Sequence, residues 1–413
     1  MNDPVAPLLI RLALVLCAAK LAGWIAIRAR QPAVIGEIAA GILLGNLTLL
    51  GIHALEPLKT DPILGILAEL GVIVLLFEIG LQSTVKDMLR VGRSSALVAV
   101  LGVVTPMLLG WGVGAWLLPG QSTLVHVFLG AILTATSVGI TARVFRDLGL
   151  SRTAEARIIL GAAVLDDVLG LVILAALTGV ITAMNQGNGG LSIAGVLWIS
   201  AKALGFLLAA ILLGLWLTPK LLSLASLLRV RGILLTTGLI FCFLLAYLGT
   251  LAGLSPIVGA FAAGLILETG QFKDFEESRE SSIESLIHPI STFLVPIFFV
   301  LTGLRVDLGS FANGRIVLLA LALTVAAWVG KQACSLGVLE RGVNRLAVGL
   351  GMVPRGEVGL IFANVGATLA IAGRPVITPE LYSAAVIMVI LTTLVTPAAL
   401  QWSLRKPRPS TSG

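Results

Sequence analysis

The sequence predicts an all-α polytopic membrane protein of thirteen spans, arranged as two inverted-topology six-helix repeats with two crossing broken helices. Three observations predict it: an apolar composition, basic residues collected in every second turn, and short motifs that recur about 220 residues apart. Of the 413 residues, 57% are hydrophobic and 12% charged. A soluble domain of this size carries about 25% charged residues, so too little polar surface is present to cover a water-facing globule. One crossing with its turn takes about 30 residues, which fills the chain and leaves no room for a soluble catalytic domain. The apolar runs are continuous over about twice the length of a barrel strand, which excludes an outer-membrane β-barrel.

Bounded by Pro, Gly and charged clusters, the spans run 6–27, 33–50, 62–82, 94–118, 122–143, 155–183, 191–217, 232–253, 256–270, 283–304, 314–338, 344–371 and 380–403. Asp3 precedes span 1 without a basic n-region, so this segment reads as a retained helix rather than a cleaved signal. Spans 2 and 3 carry the acids Glu37, Glu69 and Glu78, which have no evident partner in sequence. Span 5 contains TATSVGIT at 134–141, span 6 the adjacent Asp166 and Asp167, span 11 Lys331, and span 12 GMVPRGEVG at 351–359. Arg11, Lys20 and Lys202 are expected to snorkel or to pack near the linker. His53, His126 and His288 receive no role, and Cys17, Cys242 and Cys334, without CxxC spacing, read as small core residues.

Lys and Arg collect on the cytoplasmic side of membrane proteins. Nineteen of them, from Arg28 and Arg30 to Arg405, Lys406 and Arg408, fall in every second turn, while the alternate turns hold Lys59, Arg305, Arg315 and Arg374. The N-terminus is therefore expected outside and the C-terminus in the cytoplasm. The net charge of +7 reads as topology and contact with anionic lipid headgroups, not nucleic acid.

GEIAAG at 36–41 matches GAFAAG at 259–264, displaced by 223 residues, and Gly80-Leu81 matches Gly303-Leu304 at the same displacement. Two further matches in the same order pair 137–140 with 357–360 and 162–165 with 384–387. The copies lie seven spans apart, an odd number, so they enter the membrane from opposite sides. This gives a first repeat at 1–183, a linker at 184–230 containing span 7, a second repeat at 231–403 and a cytoplasmic tail at 404–413. Spans 4–6 and 11–13 form the core of the two repeats. Inverted repeats with discontinuous helices meeting near the bilayer midplane are the plan of secondary transporters.

A charge at the centre of a span costs about 2.5 to 3.5 kcal/mol even on the lenient insertion scale, so Asp166 and Asp167, halfway along span 6, need partners. Neighbours on a helix point about 100° apart, so one carboxylate can face a partner and the other a water-filled cavity. Lys331 is the natural partner, since a buried amine beside a buried carboxylate cancels much of the desolvation cost. The bland readings are a permanently protonated pair that only joins helices, and a Lys331 that snorkels along about two further turns of apolar helix. Pro354 with its three neighbouring glycines, and the hydroxyl-rich stretch around Gly139, predict one broken helix in each half. Arg355 and Glu357 are suited to neutralising the exposed helix ends, and the freed carbonyls with Thr136 and Ser137 to coordinating a small cation. Simple Pro and Gly kinks, with Ser and Thr bonded to the preceding turn, are the other reading. No metal-ligand spacing, nucleophile elbow or phosphate-binding glycine loop is present, so no enzyme activity and no cofactor are expected.

VIGEIAAGILLG at 34–45, LDDV at 165–168 with Gly170, Lys331, and PRGEVGL at 354–360 together resemble the monovalent cation:proton antiporter-2 family, most closely its NapA-type sodium/proton antiporters. Asn46 departs from the pattern, standing where many relatives have Pro. The resemblance covers nearly the whole chain. It implies electrogenic exchange of Na+ or Li+ for H+ by alternating access, a homodimer, a core domain that moves against a dimer domain, and a place in a prokaryotic inner membrane. By position it makes Asp167 the carboxylate that binds Na+ and carries the proton, Asp166 the partner of Lys331, and Thr136, Ser137, Arg355 and Glu357 the residues of the two unwound stretches. Potassium/proton exchange of the Kef type is the alternative within the class, and the nucleotide-binding domain such proteins usually carry after the membrane part is not expected here. An intramembrane aspartyl protease would need carboxylates on two facing helices, whereas these are adjacent on one. A solute symporter on the same plan is a further alternative.

Overall fold

The computed structural model describes the chain apart from residues 1–4, 30, 54, 83–91, 151–152, most of 186–231, 253, 270–282, 372 and 406–413. Apolar runs in lipid must satisfy every backbone N–H and C=O internally, and a helix does so. The described elements are accordingly helices: α1 (Val5–Arg28), α2 (Ala33–Gly45), α3 (Pro62–Leu81), α4 (Arg93–Leu117), α5 (Thr123–Thr134), α6 (Val138–Asp147), α7 (Ala154–Asn185), α8 (Ile233–Leu251), α9 (Pro256–Thr269), α10 (Ile283–Leu304), α11 (Gly314–Gln332), α12 (Arg345–Gly351), α13 (Gly356–Thr368) and α14 (Pro379–Arg405). A two-residue antiparallel pair, Ala370–Ile371 with Arg374–Pro375, joins α13 to α14. Eight of the described helices are long and apolar enough to cross a bilayer.

Helix starts follow local capping chemistry, in which a side-chain oxygen takes one of the orphan N–H groups of the first turn. Asp61 caps α3 through the N–H groups of Ile63 and Leu64, Ser122 caps α5, Asn313 caps α11 and Asn344 caps α12. Some ends differ from the expected spans. Expected spans 5 and 12 are each two helices, α5 with α6 and α12 with α13. Span 2 leaves the α-helix at Gly45, where the Asn46 side chain donates to Ile42 O and, at 2.8 Å, to Val306 O. The α-helical part of span 11 ends at Gln332, one residue after Lys331, and 333–337 continue as a tighter turn. The linker at 184–230 and its span 7 lie for the most part outside the described residues.

The chain gathers into two compact units. The first comprises Met1–Lys20, Pro57–Leu89 and Val172–Leu301. In it α3 and α8 both lie against α9 at glycine: a Cβ on Gly80 would stand 2.3 Å from Phe261 O, and one on Gly259 2.0 Å from Leu245 O. Arg11, expected to snorkel or to pack near the linker, pairs with Asp61 at 2.5 Å, because the cap uses one carboxylate oxygen for the α3 N–H groups and turns the other to the guanidinium. Lys20 reaches the Thr292 carbonyl at 3.2 Å. Glu78, which showed no partner in sequence, accepts from Ser291 and lies 3.2 Å from His288 Nδ1, both on α10.

The second unit comprises Leu21–Glu56, Arg90–Leu171 and Thr302–Gly413. Here a Cβ on Gly36 would stand 2.1 Å from Ala22 O, and one on Gly303 2.2 Å from Ile38 O. Its buried apolar residues include Phe145 of α6, Ile159 of α7, and Val348 and Met352 in and beside α12. His126 is buried, with Nε2 2.9 Å from Leu118 O.

The Asp61 cap makes a testable statement about pH. Burial raises its carboxyl, but the Leu64 N–H, the Arg11 side chain and the Ile63 N–H outweigh this and hold it below its ordinary 3.8. A carboxyl depressed by folding adds stability that is present above the ordinary value and lost as pH falls through the folded one. Asp61→Ala is therefore expected to lower stability by about 1 kcal/mol or more at pH 7, with the gap to wild type closing below pH 3.8. Melting of the detergent-solubilised protein across pH checks this, and a gap that stays constant into acid would refute it.

Candidate ion site

The breaks in α5–α6 and α12–α13 meet within the second unit. The Ser137 N–H donates to Pro354 O at 2.8 Å, so each interruption supplies what the other lacks. Pro354 cannot continue a helix that needs its N–H, and Gly356 follows with φ +30°, where a Cβ would stand 2.3 Å from that of Ser137. Only glycine allows this approach. The Thr141 hydroxyl donates to Gly351 O at 2.6 Å and ties α6 to the end of α12.

Arg355 is fully buried at this crossing. It donates to Ala135 O at 2.9 Å and Met352 O at 3.5 Å from Nη1, and to Ala327 O of α11 at 3.1 Å from Nη2. A cation at the C-terminal carbonyls of α5 and α12 opposes the negative ends of both helices. Thr136 Oγ1 and Arg355 Nε are buried without a hydrogen-bond partner among the described residues.

Helix α7 carries the two acids past this crossing. A Cβ on Gly351 would touch Ile159 of α7 at 2.5 Å, and one on Gly170 would lie 3.6 Å from Phe362 of α13. Asp166 and Asp167 fall on the α7 stretch between those two contacts. Lys331 of α11 is fully buried and its Nζ lies 3.1 Å from Asp166 Oδ2 and 3.3 Å from Oδ1. It does not snorkel, since the helix that was to carry it outward ends one residue later. Asp167 is partly exposed and Ser137 buried. The Glu357 side chain lies outside the described residues. Taken as ionised, Asp166, Asp167, Lys331 and Arg355 sum to zero charge, and one bound cation or proton makes the set +1.

The family described as "Sodium/hydrogen exchanger, transmembrane" matches residues 14–406. This chain belongs to the sodium/hydrogen exchanger family. Among its relatives, the high-affinity Na(+)/H(+) antiporter NhaS3 of Synechocystis sp. is 36% identical over 96% of this exchanger and 89% of its own length. The Na(+)/H(+)-K(+) antiporter GerN of Bacillus cereus is 34% identical over 95% of each chain. In fold the exchanger is like the sodium proton antiporter MjNhaP1 of Methanocaldococcus jannaschii, with TM-score 0.71 at 18% identity over 96% of this chain and 99% of that one.

Sequence reasoning missed part of this candidate site. The carbonyl acceptors of Arg355 on α5 and α11, and the Thr141 bond to Gly351, join residues about 30 to 220 positions apart and leave no local signal. Thr105 of α4, which donates to Gly330 O at 2.8 Å beside Lys331, was legible in part, because Pro106 interrupts an otherwise apolar span.

Proposed function

We infer that the chain is a secondary active transporter exchanging Na+ or Li+ for H+ by alternating access. The observation that carries this reading is the buried Lys331–Asp166 pair beside Asp167, at the meeting of two interrupted helices. A proton and a sodium ion compete for the Asp167 carboxylate. Ser137, the Thr136 hydroxyl and carbonyls freed at the break supply further oxygens to the cation, and Arg355 and Glu357 neutralise the helix ends. Asp166 and Lys331 form a second titrating pair whose contact changes as the cation arrives, which allows two protons to exchange for one sodium ion.

Thirteen spans in two inverted six-helix repeats, 1–183 and 231–403 about a linker at 184–230, are supported by the glycine contacts. Gly36 on Ala22 and Gly259 on Leu245 are one contact displaced by 223 residues. Gly80 on Phe261 and Gly303 on Ile38 are another, with the partners exchanged between halves. The basic turns support an N-terminus outside and a cytoplasmic tail at 404–413 in a prokaryotic inner membrane, and the family resemblance supports a homodimer.

The test is dequenching of a pH-sensitive dye in proteoliposomes as Na+, Li+ and K+ are added in turn. Na+ and Li+ are expected to release protons. The K+ arm matters because the name of GerN includes potassium, and a response to K+ alone would replace the sodium assignment. No response to any cation, or a response only to an organic solute, would overturn exchange.

A further inference from the structure

Helix α10 carries two prolines inside its span, Pro289 and Pro296. A prolyl nitrogen has no hydrogen to give to the carbonyl four residues back, and its ring pushes that carbonyl off the ladder. For Pro296 this carbonyl belongs to Thr292. It finds a donor on another helix, because Lys20 Nζ of α1 donates to Thr292 O at 3.2 Å. Lys20 stands eight residues before the end of α1 at Arg28, about 12 Å into the span, where a charged side chain without a partner is costly. The lysine thus replaces on α10 the bond that the proline deletes.

The two prolines differ in their surroundings. Pro289 lies in a stretch splinted to α3, where Glu78 accepts from Ser291 and a Cβ on Gly71 would stand 2.8 Å from Leu294 O. Past Pro296 the helix is fixed again, a Cβ on Gly303 standing 2.2 Å from Ile38 O and Asn364 Nδ2 donating to Thr302 Oγ1 at 3.1 Å. The chain passes from the first compact unit to the second between Leu301 and Thr302. Pro296 therefore breaks the α10 ladder between two anchored ends, and helices bend at such breaks. We propose that α10 flexes at Pro296 during the transport cycle and that Lys20 is the latch on this hinge, its bond to Thr292 O holding the form described here. Release of the latch sends Nζ to the headgroups and lets one end of α10 turn against the other. Lys20 is a positioning residue, acting through α10 rather than on either ion. The inference rests on the exchanger reading for its effect on flux, and on α10 alone for the latch.

The test is a double-mutant cycle of Lys20→Met, Pro296→Ala and the two combined, read by hydrogen–deuterium exchange in detergent and by flux in proteoliposomes. Met keeps a long side chain at an exposed helix position and Ala supplies the missing N–H, so both variants are expected to fold. Lys20→Met should speed exchange of the amides at 297–301 about tenfold, and Lys20→Arg, which keeps a donor, should restore most of the protection. In the Pro296→Ala background the Lys20→Met substitution should change nothing, because Thr292 O then has a donor within its own helix. Pro296→Ala should itself slow sodium-driven proton flux about tenfold, while the sodium concentration that half-stabilises the protein against melting stays within about twofold. An effect of Lys20→Met that is equal in both backgrounds would overturn the latch, and wild-type flux in Pro296→Ala would overturn the hinge. Absence of flux in the unmodified protein would overturn exchange, and amide exchange would still decide the latch.

Discussion

Proteoliposomes carrying Asp167→Ala are expected to show no sodium-dependent proton flux. Lys331 keeps Asp166 as its counter-ion in this variant, so the buried pair survives and only the neighbouring carboxylate is lost. Without that carboxylate, a dehydrated sodium ion at mid-membrane meets only neutral oxygens, and an unpaired charge in a low-dielectric interior is costly. The same deletion removes the group that holds the proton on the return half of the cycle. Both arms of the exchange therefore fail together, and sodium-dependent changes in thermal stability should vanish with them. A variant that melts near wild type and still dissipates an imposed pH gradient on sodium addition would remove Asp167 from the mechanism.

The largest effect on the fold is expected from Arg355→Ala. The guanidinium is fully buried and bonds to carbonyls on three helices, at Ala135, Met352 and Ala327. Deleting one member of a buried charge network costs about 3 to 5 kcal/mol, and each carbonyl left unmade adds about 1 to 3 kcal/mol. The crossing of the interrupted helices should loosen, with a lower melting temperature and loss of flux. Arg355→Lys tests the geometry, since a single ammonium carries the charge but cannot fork across two helices as a planar guanidinium does. It should recover part of the stability and little of the transport. Unchanged melting in Arg355→Ala would refute this role.

Much of the architecture was legible because lipid permits few backbones. Continuous apolar runs in lipid have to be helices, and eight of the described helices fall on expected spans with the length to cross a bilayer. The interruptions were readable because Pro354 and the glycines around it cannot sit quietly in a helix. The Asp166–Lys331 pair was readable because a buried acid demands a partner and the apolar spans offer few cations. What escaped is whatever depends on carbonyl oxygens, which every residue possesses and no sequence marks. The acceptors of Arg355 belong here, as does the end of α11 at Gln332, where the apolar pattern runs on to 338 but Thr105 has taken Gly330 O. Arg11 with Asp61, and Glu78 with Ser291, are pairings between residues 50 and 213 apart that no local pattern specifies.

The balance of four charges at the crossing has a consequence for energy coupling. On the proposed reading, the form loaded with protons bears one positive charge, and the form loaded with sodium bears the same charge while Lys331 stays protonated and none once Lys331 has released its proton. A membrane voltage does work on a charged form only, about 2.3 kcal/mol per 100 mV for a full crossing of one charge. Polarisation, negative inside, then favours the inward crossing of the proton-loaded form. Net current arises only when the pair at Lys331 yields an extra proton, so the battery of the cell is tapped through that lysine.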